Sequence, residues 1–282
     1  MRVGLNLASI DVPADWWLAA ARLAEEAGFS GAWIWDHFLS RGRRTDPVLE
    51  CWTTLAAAAV VTRRIHLGSF VTNVMNRHPS VLARMAANVQ DLAAGRLEVG
   101  IGIGGHPREH EALGIPFPPA EERVARLEEA VQVLRLLWSG GPVSFEGRYY
   151  QLRDAYAYPI PQPSPRLVIG GETAGGARLA ARLGDAWTTT GEALLRDRAV
   201  FEDGLGAAGR ARSDVAIVVA LDLDRHLAPA AQPLLADLAG QLALWRERGA
   251  DEVILAEVRP EQLGHVLAAG ERARLHADDP SA

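Results

Sequence analysis

Cysteine is almost absent from this chain of 282 residues, which contains only Cys51. A single cysteine cannot form an intramolecular disulfide, so the apolar core must hold the fold together. A chain of this length can bury enough surface for that purpose, and 49% of its residues are hydrophobic. The lack of paired thiols also suits a reducing compartment.

Long apolar segments and an excess of positive charge are lacking as well. The longest apolar run covers residues 55–61 and is far too short to cross a bilayer. No apolar stretch of the signal-peptide kind precedes the first acidic residue, Asp11, so we expect a cytoplasmic protein without a membrane partner. The net charge of −6 argues against general nucleic-acid binding, because phosphates are met by clustered Lys and Arg.

Short apolar runs alternate with helical patterns along most of the chain. This rhythm is typical of repeated βα units and a parallel sheet. The apolar runs predict eight strands, at residues 3–7, 32–35, 65–71, 97–101, 167–169, 186–188, 215–221 and 253–255. Apolar residues spaced three or four apart predict helices between them, at residues 14–27, 48–61, 174–183, near 121–139 and directly after Pro79.

The rhythm is interrupted over about residues 102–165, where no pattern for a central strand is found. This segment predicts a loop, the helix near residues 121–139, a short hairpin around Gly147 and an extended proline-rich connector. Eight strand–helix units around one interruption predict a single-domain α/β protein over residues 1–282, a (β/α)₈ TIM barrel with an insertion after strand 4. A doubly wound open sheet is the structural alternative.

Residues 100–105 read GIGIGG and match the GxGxxG pattern of dinucleotide-binding proteins. That pattern must open a helix within a βαβ unit, and an acidic residue must end the next strand. Here His106 and Pro107 follow at once, and the acidic pair Glu121–Glu122 farther on opens a helix instead. We therefore favour a barrel strand whose glycines let a flat ligand approach the backbone closely.

Polar residues follow two predicted strands, at the end where a TIM barrel carries its active site. Asp36 and His37 end the second strand, and an imidazole there can move a proton near neutral pH while an adjacent carboxylate orients it. Residues 68–73 end the third strand with small and polar side chains that suit a cofactor site. A helix cap or an ordinary packed turn is the purely structural alternative for each.

Two further segments could meet an anion. The loop at residues 170–176 reads GGETAGG and leads into a helix, whose first N–H groups can bind a phosphate; a tight turn without a ligand is the alternative. Arg41, Arg43 and Arg44 form a basic cluster that is either solvated or meets an anionic ligand tail. No HExxH or CxxC motif occurs in the sequence, and no metal site is predicted.

A set of motifs follows in a shared order from Met1 to about Gly191: DHF, GSFVTN with RHP, AGRLEVGIGIG, REHEALGIPFP, FEGRYYQL and PRLVIGGETAGG. In this order they resemble the luciferase-like flavin-dependent oxidoreductases, particularly the branch that uses the deazaflavin coenzyme F420. The resemblance implies the same barrel, often as a homodimer formed through helices 2 and 3. It implies hydride transfer between the reduced deazaflavin and a small organic substrate.

Carried over by position, the resemblance implies that His37 gives or takes a proton and that Asp36 orients it. It also implies a cis peptide at Phe70–Val71, the cofactor phosphate on the loop after strand 5, and the polyglutamate tail of the cofactor near the basic cluster. The implied cofactor-binding residues are Phe70, Val71, Thr72, Asn73, Gly102, Gly104, Gly171, Glu172, Thr173, Gly175 and Gly176.

The chain departs from the family pattern at Gly105, where many relatives carry an aromatic residue or have a proton-donating glutamate nearby. Glu109 lies close by in the sequence and could compensate. Two alternatives therefore stay open beside the deazaflavin enzyme. One is a two-component monooxygenase that uses FMN, and the other is a barrel that binds a flavin without catalysis.

Overall fold

The structure of the protein is a computed structural model that describes residues 1–223 and 226–275. Residues 224–225 and 276–282 belong to the predicted single domain but lie outside the described residues. The strands are β1 (Arg2–Leu7), β2 (Gly31–Ile34), β3 (His66–Ser69), β4 (Thr72–Asn73), β5 (Leu97–Gly102), β6 (Val143–Glu146), β7 (Gln151–Ala155), β8 (Arg166–Gly170), β9 (Ala186–Thr190), β10 (Ala216–Asp222) and β11 (Glu252–Val258).

Most of the helices connect one barrel strand to the next, and the last helix follows the last strand. They are α1 (Ala14–Glu26), α2 (Cys51–Val61), α3 (Pro79–Leu92), α4 (Pro107–Leu113), α5 (Ala120–Trp138), α6 (Ala174–Leu183), α7 (Gly191–Ala207), α8 (Pro233–Ala236), α9 (Leu238–Glu247) and α10 (Pro260–Arg272). Within residues 1–223 and 226–275, none of them combines the length and the apolar character needed to cross a membrane.

The strands close into a parallel barrel. β1 pairs with β2 on one side and with β11 on the other, and the ring closes where Leu67 of β3 pairs with Leu97 of β5. Over the described residues the ring has eight strand positions, because β3 and β4 are two pieces of the third strand. The predicted (β/α)₈ barrel is confirmed, and the doubly wound open sheet is wrong because the two ends of the strand order meet.

The barrel interior is built around Trp33, which stands among strand glycines. A Cβ at Gly68 would lie 2.3 Å from the indole ring of Trp33, and a Cβ at Gly31 would lie 2.7 Å from its Nε1. These glycines leave the volume that the indole occupies, and Val168 and Ile254 pack beside it. The barrel interior around Trp33 is therefore a packed core, and open space is left toward the carboxyl ends of the strands.

The third strand was predicted as one run over residues 65–71, but it is interrupted after Ser69. The peptide bond between Phe70 and Val71 is cis, as the resemblance predicted. The Val71 side chain lies between neighbouring strands, because a Cβ at Gly102 or Gly170 would come within 2.8 or 2.9 Å of its Cγ2. The glycines of residues 100–105 thus make room for this interruption as well as for a ligand.

Replacing Gly100 with alanine should destabilise the barrel, because the new Cβ would lie 2.0 Å from the backbone oxygen of Ser69. A backbone oxygen inside a sheet cannot move aside cheaply, so we expect a loss of roughly 1–3 kcal/mol in the free energy of unfolding. Gly264→Ala is the matched control: its Cβ meets nothing within 4 Å on α10, and it should stabilise by roughly 0.5–1 kcal/mol. Urea unfolding measures both, and equal midpoints would contradict the prediction.

The predicted insertion at residues 102–165 contains a helix that belongs to the barrel itself. α5 packs against α3, where the Trp138 indole N–H donates to the carbonyl oxygen of Ala83 over 3.1 Å. Its apolar residues, such as Leu127 and Leu134, are fully buried in the main core. α5 therefore packs as a crossover helix of the barrel, and the bounds of the insertion, about residues 102–165, stay a prediction.

Candidate active site

A cavity of about 510 Å³ opens at the carboxyl ends of the barrel strands. Residues from the ends of six strands and from the loops after β2, β5 and β8 form its wall. This is the end of a TIM barrel at which active sites are found. Of the residues predicted from the sequence, the wall includes Asp36, His37, Phe70, Val71, Asn73, Gly102, Gly104, Gly171 and Glu172.

His37 is oriented by Glu109, which projects from the first turn of α4. The His37 Nδ1 lies 3.1 Å from Glu109 Oε2, and the N–H of Phe38 donates to Oε1 over 3.2 Å. Burial alone would raise the pKa of Glu109, but the hydrogen bonds from His37, Phe38 and Leu39 hold that pKa below its ordinary value. An ionised carboxylate only accepts hydrogen bonds, so Nδ1 carries the hydrogen, and in the neutral form of the ring Nε2 has the lone pair.

Two more side chains stand beside His37 at the mouth of the cavity. The His106 ring lies 4.7 Å from the His37 ring, nearly perpendicular to it. Arg41 donates through Nη2 to His106 Nε2, and the same nitrogen lies 3.4 Å from His37 Nε2. Burial, together with Arg41 and His37, lowers the pKa of His106, so this imidazole is neutral at pH 7. The mouth therefore combines two imidazoles, of which His106 is neutral, with one fixed cation.

Asp36 does not orient His37, and this part of the prediction was wrong. Its carboxylate is buried and accepts two hydrogen bonds from Arg77, of 2.7 and 2.9 Å. The N–H of Asn73 also donates to it over 3.2 Å, and Arg77 further contacts Glu50. Asp36 thus ties the end of β2 to the start of α3, and its role is to position the strand end.

Asn73 and Gly104 hold the ends of two strands together. The Asn73 side chain donates through Nδ2 to His110 Nε2 over 2.7 Å and accepts from the N–H of Met75 over 3.0 Å. Gly104 has a φ of +74°, and a Cβ there would lie 2.4 Å from Asn73 Nδ2. Only glycine lets the loop after β5 cross Asn73 so closely. Direct contact of these two residues with a cofactor stays a prediction.

Thr72 is placed differently from the prediction. Its side chain is fully buried and its hydroxyl accepts from the Trp52 indole N–H over 3.2 Å, so a contact between this side chain and a ligand is excluded. Thr173, Gly175 and Gly176 form the first turn of α6, next to the cavity wall but not in it. Thr173 accepts from the Gly176 N–H as the helix cap, and phosphate binding by this turn stays a prediction.

Three residues that line the cavity were not identified individually from the sequence: Arg41, His106 and Thr188. Arg41 was grouped with two neighbouring arginines, but Arg43 pairs with Asp46 in an exposed loop. His106 could have been found from its place directly after the glycine-dense end of β5. Nothing in the sequence distinguishes Thr188 from the threonines beside it. Among the residues with described positions, no group of three His, Cys, Asp or Glu could hold a metal ion.

Acidification should destabilise the protein through His78, whose pKa is lowered by burial. Its Nδ1 accepts from the Ser80 N–H over 3.2 Å as the cap of α3. Because the folded-state pKa lies below the ordinary value of about 6.5, stability is full above that pH and is lost as the pH falls below it. We expect the melting temperature to drop between pH 7.5 and 5.5, and to drop less in His78→Asn, which keeps a capping side chain.

The control for this prediction is His265→Asn, an exposed position on α10 that takes no part in a cap. Its melting temperature should fall with pH as steeply as that of the unsubstituted protein. The same slope in His78→Asn would show that His78 does not contribute to the acid sensitivity.

The fold and the cavity define a (β/α)₈ barrel with a cavity at the carboxyl ends of its strands, lined by a histidine–glutamate pair. The chain belongs to the luciferase-like monooxygenase family, whose pattern it matches over residues 7–272. The family expected from the motifs is therefore confirmed.

Curated relatives include F420-dependent dehydrogenases. The F420-dependent glucose-6-phosphate dehydrogenase of Beutenbergia cavernae is 38% identical over 177 residues, which are 61% of this chain and 52% of that protein. The F420-dependent hydroxymycolic acid dehydrogenase of Mycobacterium tuberculosis is 33% identical over 211 residues, 74% of this chain and 58% of that protein. The match thus spans only between half and two thirds of the length of these relatives.

Solved structures share the fold over nearly the whole chain. An F420-dependent secondary alcohol dehydrogenase in complex with an F420–acetone adduct has a TM-score of 0.83 at 22% identity, covering 95% of this chain and 97% of that one. The coenzyme F420-dependent tetrahydromethanopterin reductase of Methanopyrus kandleri has a TM-score of 0.80 at 18% identity, covering 98% and 99%. At these identities the likeness establishes the barrel fold.

Proposed function

We propose that this protein is an oxidoreductase that transfers a hydride between coenzyme F420 and a small organic substrate. The observation that carries the proposal is the His37–Glu109 pair, which leaves the His37 Nε2 lone pair at the mouth of a cavity. The names of the curated relatives support F420 as the cofactor. The alternative of a barrel without catalysis is not favoured, because it does not account for this pair.

The residues of the cavity suit a flat, polar cofactor. Gly102, Gly104, Gly170 and Gly171 line the wall, so a ring can approach the backbone without meeting a Cβ. The hydroxyl of Thr188 is buried in the same wall and has no hydrogen-bond partner, so it is available to a ligand. When bound there, a deazaflavin would supply two-electron hydride chemistry.

His37 would carry the proton that accompanies the hydride. Its Nε2 lone pair can accept the proton of a substrate hydroxyl, and the imidazolium so formed is stabilised by the Glu109 carboxylate on the opposite nitrogen. In the reverse direction the same nitrogen returns the proton to a carbonyl oxygen. Glu109 is buried on α4 and holds the Nδ1 side of the ring, so the orientation of the imidazole is defined before the substrate binds.

The first turn of α6 is the proposed seat of the cofactor phosphate. The Thr173 hydroxyl accepts a hydrogen bond from the Gly176 N–H. The N–H groups of Ala174 and Gly175, in the same first turn, have no acceptor within the helix. A Cβ at Gly171 would lie 2.6 Å from the Gly176 Cα, so the two glycines allow the tight approach that presents this turn to the cavity. The helix dipole favours an anion at this end.

An FMN-dependent two-component monooxygenase is the alternative, and it is favoured by the family's name and by a structural likeness to a monooxygenase of Streptomyces bottropensis (TM-score 0.79, 22% identity). Titrating the purified protein with F420 and with FMN, with and without dioxygen, separates the two. We expect tight binding of F420 and oxygen-independent turnover. Binding of FMN alone with oxygen-dependent turnover would overturn the proposal.

We also infer that the protein is a homodimer that works in the cytoplasm. The outward face of α2 carries Ala56, Ala57, Val60 and Val61, and the last two are well exposed. An apolar outward face on α2 supports a contact with a second copy through α2 and α3. The buried free thiol of Cys51 suits a reducing compartment. Light scattering after size-exclusion chromatography tests the dimer, and Val60→Glu should weaken it.

A further inference from the structure

Arg41 is a cation in the cavity wall whose charge no carboxylate of residues 1–223 and 226–275 balances. Its side-chain partners are the imidazoles of His106 and His37 and the face of Trp35, which lies 5.2 Å from its guanidinium carbon. Both hydrogen-bond contacts use Nη2, so Nε and Nη1 have no acceptor among the described residues. Arginine stays charged at every working pH, and such a cation beside a cavity is suited to bind an anion.

Two other arginines of the same region are paired with carboxylates. Arg77 is paired with Asp36 and Glu50, and Arg43 is paired with Asp46. The exposed guanidinium of Arg41 therefore differs from those of Arg43 and Arg77 in having no carboxylate partner among the described residues.

Open space adjoins this cation. Gly105 lies in the wall between the end of β5 and His106, and a Cβ built there would meet no atom within 4 Å. A substrate group can therefore stand beside Arg41 without displacing a side chain. The other charged residues of the wall are acidic: Asp36 and Glu109 are hydrogen-bonded to Arg77 and His37, and Glu172 and Asp222 come from the ends of β8 and β10. They repel an anion from those sides and leave Arg41 as its place of contact.

We propose that the substrate is a small hydroxy acid, or the oxo acid formed from it, whose carboxylate binds Arg41 while its carbinol oxygen binds His37 Nε2. This inference rests on the proposed function. Arg41 Nη2 lies 3.4 Å from His37 Nε2, so the free donors of the same guanidinium stand close to His37 and a short substrate can contact both residues. A single guanidinium suits one carboxylate better than a phosphate dianion.

The reaction then balances as an alcohol oxidation. The carbinol C–H bond breaks and its electron pair leaves as hydride to the bound deazaflavin, the hydroxyl proton passes to His37 Nε2, and the carbon–oxygen single bond becomes a carbonyl. His37 then carries a positive charge that the Glu109 carboxylate compensates from the opposite nitrogen, and the substrate carboxylate compensates the charge of Arg41.

The test compares hydroxy acids of three to six carbons with uncharged secondary alcohols of the same carbon skeleton, using F420-loaded enzyme. We expect kcat/KM for the best acid to exceed that for its matched alcohol, and Arg41→Gln to reduce this ratio by about 10- to 100-fold, as loss of a charge-assisted hydrogen bond does. Arg43→Gln, in the same loop but outside the cavity wall, is the matched control and should keep the ratio.

Binding without turnover is the second readout. Isothermal titration of the cofactor-free protein with the oxo acid of the best substrate should give a dissociation constant that rises at least about tenfold in Arg41→Gln and not in Arg43→Gln. The inference is overturned if the enzyme prefers the alcohols or if no acid binds. It is also overturned if Arg41→Gln lowers the affinity for F420 more strongly the longer the polyglutamate tail is, because Arg41 would then bind the cofactor. If the protein binds F420 and oxidises alcohols, the proposed function stands even though the hydroxy-acid inference fails. If the unsubstituted protein does not bind F420, both the proposed function and the hydroxy-acid inference fail.

Discussion

Replacing His37 with alanine is expected to lower turnover by about 100- to 10,000-fold, the usual contribution of a positioned proton-transfer group. The structure gives the reason: Glu109 holds the hydrogen on Nδ1, so Nε2 is left as a proton acceptor at the cavity mouth. The affinity for F420 should change much less, because alanine removes the base without altering the glycine-lined wall. Single-turnover kinetics and equilibrium titration measure the two quantities separately.

Glu109→Gln provides a graded comparison for His37→Ala. A glutamine oxygen can still accept from His37 Nδ1, but without a negative charge it stabilises the imidazolium less well. We therefore expect a smaller loss of turnover than in His37→Ala. His265→Ala, on the exposed face of α10, should retain full turnover. Near-normal turnover in His37→Ala would show that this residue only positions other groups.

Replacing Asp36 with alanine is expected to lower the free energy of unfolding by roughly 3 kcal/mol, because it breaks a buried ion pair by removing one partner. The Arg77 guanidinium would lose two hydrogen bonds, of 2.7 and 2.9 Å, and keep only Glu50. The N–H of Asn73 would also lose its acceptor. Urea unfolding, monitored by circular dichroism, measures the change.

Glu202→Ala is the matched control for Asp36→Ala. Glu202 pairs with Arg198 on the surface of α7, where both side chains are exposed, and such pairs contribute little to stability. Its unfolding midpoint should stay close to that of the unsubstituted protein. If Asp36→Ala unfolds at the same urea concentration but loses turnover, Asp36 acts on the chemistry and not on the strand end.

Much of the barrel could be predicted because its signals are local. The apolar spacing of residues 174–183 predicted α6 at its observed bounds, and the predicted strands lie within a few residues of the observed ones. The packing of α5 within the barrel could not be predicted for a related reason. α5 carries the apolar face of an ordinary barrel helix, but it follows a long loop and an extra helix, so its place in the ring could not be recognised from spacing.

The sequence by itself determined the order of the βα units, the family, and the presence of His37 at a strand end, since periodicity and motif order are properties of the linear chain. Only the tertiary structure decided which groups His37 and Asp36 meet. Although the two residues are neighbours in the chain, Asp36 pairs with Arg77 while His37 pairs with Glu109. Its partner, Glu109, stands 72 residues away in the sequence, and only closure of the barrel brings α4 over the end of β2.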